Sequence, residues 1–123
     1  MTSPAAYPAR PDGETVFTVP ASTIKYGPGA LSELGDDARR LGMTRIALFT
    51  DDHVVETAPM RTALDALIAA GLDVVVFDAV RVEPTDESFT EAAAFARDGK
   101  FDGYISLGGG SVIDTAKIAN LLA

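Results

Sequence analysis

The sequence predicts an α/β protein: a parallel sheet with helices packed on its faces. Three observations carry this. Short apolar runs alternate with amphipathic stretches, the runs are apolar without a polar alternation, and glycines stand where the amphipathic stretches end. Alternation of strand and helix specifies parallel pairing, because each crossover helix returns the chain to the same end of the sheet. Continuous apolar strands suit a sheet covered on both faces.

Taken in order, Thr15 to Val19 is β-branched and aromatic, and Thr23 to Tyr26 follows closely after Pro20. A short antiparallel pair is expected there, ended by the breaker Gly27-Pro28-Gly29. Leu31, Leu34, Ala38 and Leu41 fall at helical spacing and stop at Gly42. Arg45 to Phe49 reads as a strand buried on both faces. Met60, Ala63, Leu64, Leu67 and Ile68 lie at offsets 0, 3, 4, 7 and 8, the core face of a helix that Gly71 closes. Leu72 to Phe77 is a second buried strand. Thr85 or Asp86 can cap a third helix, with Asp86 and Glu87 placing negative charge at its positive end. Phe89, Ala92, Ala93 and Ala96 give that helix its core face, and Gly99 ends it. Gly103 to Leu107 is a third buried strand, and a last helix runs from Ser111. Its crossovers are expected to be right-handed.

The chain has 123 residues, enough for one domain, with residues 1–14 as a flexible tail and 15–123 as the α/β unit. Hydrophobic residues make up 47% and charged residues 23%, the balance of a globular core. Acids outnumber bases 18 to 10, for a net charge of −8. That sign disfavours nucleic acid and anionic membrane surfaces as partners, and no apolar run reaches the ~18 residues of a membrane span. There is no cysteine, so disulfides and thiolate metal sites are excluded. The tail holds Pro4, Pro8, Pro11, Gly13 and only one basic residue, Arg10. It lacks the apolar core of a signal peptide and the basic charge of a transit peptide, so a cytoplasmic protein is expected.

The last helix, with Val112, Ile113, Ala116, Ile118, Ala119, Leu121 and Leu122, is apolar almost all round. Such a helix needs cover on most sides. The expectation is that the α/β unit is one part of a longer protein, truncated here; a partner subunit is the other source of cover.

Leu107-Gly108-Gly109-Gly110-Ser111 joins an apolar strand to a helix N-terminus. The first helical N–H groups lack partners and the dipole is positive there, so the junction suits an anion. Glycines admit a phosphate close to the backbone, and Ser111 can add a hydroxyl donor. A plain structural turn explains the same triplet, and it is not the G-x-G-x-x-G pattern of dinucleotide folds. Thr50-Asp51-Asp52 ends the Arg45 to Phe49 strand; a carboxylate there can accept from both ribose hydroxyls of an adenine dinucleotide, or can simply cap a turn. Asp114 and Lys117, three apart on a helix, read as a surface ion pair worth ~0.3 kcal/mol. His53, the sole histidine, reads as an exposed loop residue. Asp36, Asp37, Asp86 and Glu87 read as solvated helix starts, and Phe89 and Phe95 as core.

Gly108-Gly109-Gly110-Ser111-Val112-Ile113-Asp114-Thr115-Ala116-Lys117 resembles the G-G-G-S-x-x-D-x-A-K signature of the iron-containing alcohol dehydrogenase family. Thr50-Asp51 and Glu83-Pro84-Thr85 fall where that family has its other cofactor loops. Val80-Arg81-Val82-Glu83-Pro84-Thr85-Asp86 is similar to the hydroxyacid-oxoacid transhydrogenase branch. The resemblance covers about residues 16–123. It implies a Rossmann-like sheet, the N-terminal part of a dehydroquinate synthase-like fold, whose helical C-terminal half is absent from this chain. It implies NAD as cofactor, and iron or zinc held by an aspartate and several histidines of that other half.

By position, Gly108, Gly109, Gly110 and Ser111 would hold the pyrophosphate and Asp51 the adenosine ribose. Asp114 and Lys117 would flank the cofactor. Glu83 stands where many members have asparagine, which suits the transhydrogenase branch. No catalytic or metal-binding residue is expected within the chain, so the chain alone should be inactive. The implied activity is hydride transfer between a nicotinamide and a small-molecule hydroxyacid or alcohol, in a protein that can form homo-oligomers. Ser111 and the Asp114–Lys117 spacing favour the alcohol dehydrogenase side over related polyol or dehydroquinate-forming enzymes. The alternative from another class is a stand-alone, non-catalytic nucleotide- or phosphate-binding module.

Overall fold

The computed structural model describes residues 22–123. Three strands, β1 (Arg45–Asp51), β2 (Asp73–Val80) and β3 (Gly103–Ser106), form a parallel sheet in the order β2-β1-β3. Four helices connect and follow them: α1 (Leu34–Arg40), α2 (Ala58–Ala69), α3 (Asp86–Gly99) and α4 (Gly110–Leu122). A 3-10 turn over Ala30–Glu33 leads into α1, and another, Val54–Glu56, precedes α2.

β1 explains the architecture. Ile46, Ala47, Leu48, Phe49 and Thr50 are all fully buried, because β1 is paired on both edges and covered on both faces. Its side chains alternate between faces. Ile46 and Leu48 join Ala38, Met60 and Leu67 beneath α1 and α2. Ala47 and Phe49 join Val80, Ala92, Ala96, Val112, Ala116 and Ala119 beneath α3 and α4. Burial of each large side chain here contributes about 1.5–3 kcal/mol. The second face is also an aromatic cluster: Phe49 meets Phe95 edge-on at 5.7 Å, and Phe77 lies 5.0 Å from Phe95. The first face is closed by a tight helix crossing. A Cβ on Gly35 would stand 2.2 Å from the Ala66 carbonyl oxygen, so glycine lets α1 reach α2.

The ends of α1 and α2 and the start of α3 follow the sequence signals, whereas α3 runs through Gly99 and its left-handed end residue is Lys100, with φ of 51°. Gly42 and Gly71 take φ of 80° and 79° just past α1 and α2, a left-handed conformation that glycine adopts without Cβ strain. Thr85 is the N-cap of α3: it accepts from the Ser88 N–H at 3.1 Å, while Ser88 Oγ accepts from the Thr85 N–H at 2.8 Å. This reciprocal pair satisfies two donors that the helix itself leaves open.

Several expectations change. Thr23 to Tyr26 is exposed and outside any strand, so the expected antiparallel pair does not form on that side; its other half, Thr15 to Val19, lies outside the described residues. Ile68 is 63% exposed rather than core, since the buried stripe of α2 is narrower than its apolar one and runs through Met60, Ala63 and Leu67. Leu41 is 76% exposed because α1 ends at Arg40. β2 and β3 are half-buried rather than fully buried, each pairing only with β1 among the described residues. Phe89 is half-buried and outside both core clusters, whereas Phe95 packs into one.

Asp102 ties the N-terminal edges of β1 and β3 together. Its carboxylate accepts from the Thr44 N–H at 2.8 Å, the Arg45 N–H at 2.9 Å and the Thr44 hydroxyl. These donors favour the charged form, the Thr44 hydroxyl most, and hold the carboxyl below its ordinary value of 3.8. A depressed folded-state value stabilises the fold at pH above the ordinary value, and this contribution is lost as pH falls through the folded-state value. Asp102→Asn should therefore lower the melting temperature at pH 7. The gap to wild type should close as the medium is acidified below the ordinary aspartate range. Melting curves across pH check this, and a gap independent of pH would contradict it.

Candidate functional site

The C-terminal ends of the three parallel strands converge, and the loops leaving them carry the candidate residues. Open α/β sheets bind ligands at this edge. Leu107 is the last residue to follow β1: its N–H donates to the Phe49 carbonyl at 2.9 Å. The chain then leaves the sheet through Gly108, whose φ is 149°. A Cβ there would meet Val112 Cγ2 at 2.7 Å, so Gly108 is required by the turn itself. Gly109 is the extended N-cap of α4, and Gly110 opens the helix. A Cβ on either would have nothing within 4 Å. Their lack of a side chain therefore leaves open space above the backbone, where the turn does not demand it.

The donors face an unfilled requirement. Val112 and Ile113 N–H both donate to the Gly109 carbonyl. The N–H groups of Gly109, Gly110 and Ser111 have no acceptor among the described residues. Three successive free donors at the start of a 13-residue helix make a cradle for an oxyanion. Ser111 is only partly available to it. Its hydroxyl donates to the Val82 carbonyl at 2.5 Å, which pins the loop after β2, and with it exposed Glu83, beside the start of α4. The Ser111 backbone N–H remains free. Thr115, one turn on, is buried and donates to the Ser111 carbonyl at 2.7 Å.

Asp51 ends β1 half-buried. Its Oδ1 accepts from the His53 N–H at 3.0 Å and the Val54 N–H at 2.7 Å. The turn-cap role is thus real, and it occupies one carboxylate oxygen while Oδ2 keeps its acceptor capacity. Asp114 and Lys117 lie on the exposed side of α4 and make no ion pair with each other. Lys117 stands seven residues beyond Gly110, about 10 Å along the axis, so it is not part of the first-turn cradle. An open cleft between the ends of β1 and β2 is lined by Asp52, His53, Asp78, Ala79, Val80, Arg81 and Val82.

In the sequence Thr50 stands out only as part of the Thr50-Asp51 loop, with no role of its own; it is buried and donates to the Leu107 carbonyl at 2.8 Å. Its place between an apolar strand and Asp51 was visible; the long-range acceptor was not.

No three His, Cys, Asp or Glu side chains converge as metal ligands among the described residues. His53 is exposed, 3.8 Å from the equally exposed Asp52. This donor set does not fit a structural or catalytic metal, which needs several convergent ligands.

Residues 21–123 match the family described as iron-containing alcohol dehydrogenase. The chain is 45% identical over 114 residues to the mitochondrial hydroxyacid-oxoacid transhydrogenase of Bos taurus, covering 90% of this chain and 24% of that one. It is 43% identical over 116 residues to the Homo sapiens protein of the same name, covering 92% and 25%. Among solved structures it resembles a 1,3-propanediol oxidoreductase, with a TM-score of 0.70 and 32% identity over 74% of this chain and 24% of that one. The chain thus spans about a quarter of the length of these relatives. The cytoplasmic expectation is overturned by the relatives, which are named mitochondrial. It rested on missing targeting signals in the tail, and a missing signal is weaker than a named compartment.

The two kinds of glycine should separate by mutation. Gly108→Ala should destabilise the fold by about 1–3 kcal/mol, from left-handed strain and the Val112 contact. Gly110→Val should melt close to wild type, since its side chain enters open space. Thermal melting of both checks the order, and a Gly110→Val protein that melts lower than Gly108→Ala would refute the division.

Proposed function

The chain belongs to the iron-containing alcohol dehydrogenase family, and on that premise we propose that it is the NAD-binding α/β portion of an oxidoreductase. The parent enzyme moves hydride between a nicotinamide and a small hydroxyacid or alcohol carbon. The transhydrogenases among its relatives favour a hydroxyacid-oxoacid pair, and favour a mitochondrial place of action. The observation that carries the reading is the run of three unpartnered N–H groups at Gly109, Gly110 and Ser111, opening into unfilled space at the C-terminal edge of the sheet.

The nicotinamide would supply the hydride chemistry; the protein binds and orients it. Gly109, Gly110 and Ser111 would bind the pyrophosphate through backbone donors and the positive end of α4. Glycine at the first two positions removes the side chains that would hold the phosphate away. Asp51 Oδ2 would accept from an adenosine ribose hydroxyl, while Oδ1 stays on the turn that orients the carboxylate. Glu83 would stand over the cradle through the Ser111–Val82 hydrogen bond. Asp114 and Lys117 would border the cofactor further along α4. Among the described residues no donor set fits a metal.

Titration of NADH fluorescence against the parent enzyme tests the reading. Gly110→Val should abolish NADH binding while the melting curve stays near wild type. Ser111→Ala should weaken it less, by about 1 kcal/mol, because the backbone donors remain and only the Val82 tie is lost. Retention of full affinity by Gly110→Val would remove the cradle from the cofactor site.

Asp51 supplies a second, separable expectation. A carboxylate beside the ribose 2′ position repels a 2′-phosphate, so the parent should prefer NAD to NADP. Asp51→Asn keeps an oxygen for the His53 and Val54 N–H groups but removes the charge. It should narrow the NAD/NADP affinity ratio with little loss of stability. A wild-type parent that already binds NADP more tightly would show that Asp51 has no such role.

A further inference from the structure

We propose that Thr50 is a positioning residue for the dinucleotide, its hydroxyl holding the glycine loop at a fixed offset from Asp51. The inference rests on the reading that the strand ends hold NAD, and it names how their separation is set. Thr50 is 0% exposed yet polar. It sits where the pairing of β1 with β2 breaks step, between Phe49, opposite Phe77, and Asp51, opposite Val80. At that irregularity its hydroxyl is turned to the other neighbouring strand. It donates to the carbonyl of Leu107 at 2.8 Å, while Leu107 N–H donates to Phe49 at 2.9 Å. Both backbone groups of Leu107 are therefore held by consecutive residues of β1.

The β1–β3 register ends at Phe49 and Ser106, so this pair of bonds is the last fixed point before the chain turns at Gly108. Valine has nearly the volume of threonine, so packing alone does not call for a hydroxyl at this place. The residues assigned to ligand follow each partner: Asp51 directly after Thr50, and the free donors of Gly109, Gly110 and Ser111 after Leu107 and the Gly108 turn. A dinucleotide gripped at ribose and pyrophosphate gains from both contacts only if their separation is already correct. A ligand that touches one end gains nothing from that constraint.

The test compares Thr50→Val and Thr50→Ser in the parent enzyme, with NADH as the two-ended probe and adenosine, read by competition, as the one-ended probe. Thr50→Val should raise the NADH Kd about tenfold and move the adenosine Kd by less than about twofold. Thr50→Ser, which keeps the hydroxyl, should stay within about twofold of wild type for both. Unchanged NADH affinity in Thr50→Val overturns the proposal. Equal weakening of NADH and adenosine also overturns it, because that pattern reports damage at Asp51 alone. If Thr50→Val does not fold, Thr50→Ala and Thr50→Ser make the same comparison, since both lack the methyl and differ only in the hydroxyl. Equal NADH affinity in that pair overturns the proposal too. A wild-type enzyme that binds no NADH removes the cofactor reading itself, an outcome distinct from a wild type and Thr50→Val that bind NADH equally well.

Discussion

The hydrogen-bonded burial of β1 is the constraint on which the rest of the structure depends. With neighbours on both edges and helices on both faces, its backbone has no freedom to shift without opening the core. Phe49 shows how the constraints meet. Its ring is packed among Phe77, Phe95 and Tyr104 on one face, and its carbonyl receives the Leu107 N–H at the edge. The position of the glycine loop is thereby inherited from a strand whose Ile46 to Thr50 are fully buried. Interiors packed to crystal-like density do not deform gradually, and a binding loop built from such a strand starts with little conformational freedom to lose. The opposite end of the sheet is fixed by a different device. There Asp102 collects donors from Thr44 and Arg45, and Arg45 spends its side chain on the Gly99 carbonyl at 2.7 Å and on the Phe101 ring. One end of the sheet is closed by satisfied charge and the other keeps donors unsatisfied.

That contrast separates what was legible in the sequence from what was not. The order of strands and helices, the glycine stops and the Thr85 cap are local matters, set by side-chain period and backbone conformation within a few residues. The errors came where a neighbour decides. Ile68 obeys the helical period of α2, yet among the described residues no packed layer reaches its side of the helix. The valines of β2 read like a central strand, yet among the described residues that strand has one hydrogen-bonded neighbour. Among the site residues, Gly108–Ser111 and Asp51 were visible because the chemistry of a strand-to-helix junction is written in consecutive residues. Thr50–Leu107 and Ser111–Val82 join residues 57 and 29 positions apart, and nothing in a local pattern announces such a bond. Asp51 was legible only as a choice between turn cap and ribose ligand. The structure shows the two roles to be compatible, since the cap uses one oxygen.

The three glycines that look equivalent in the sequence do different work. Gly108 carries the backbone through an angle that disfavours any side chain, and Val112 closes the space where one would go. Gly109 and Gly110 have ordinary backbone angles and nothing nearby. A turn that needed glycine only for its own shape would account for the first and leave the other two unexplained. Open space over adjacent free donors accounts for them, because the volume of a side chain is then the volume denied to a ligand.

A last question is whether a net charge of −8 is at odds with a site proposed for a ligand carrying two phosphates. Net charge acts at long range and is screened over about 8 Å at physiological salt. A phosphate seated on backbone N–H groups responds to donors about 3 Å away, and to a helix dipole whose effect is confined to the first turn. At that range the cradle presents Gly109, Gly110 and Ser111, none of which is ionisable. Three acids lie near it: Asp51 directs one oxygen into its own turn, Asp114 enters α4 after the first turn, and Glu83, next to the Val82 that Ser111 holds, is exposed to water that screens its charge. The acidity of the chain therefore bears on long-range encounters with large charged surfaces. The geometry of three backbone N–H groups at the start of one helix bears on the proposed anion site, and an amide, unlike a lysine, keeps its donor direction when the salt concentration changes.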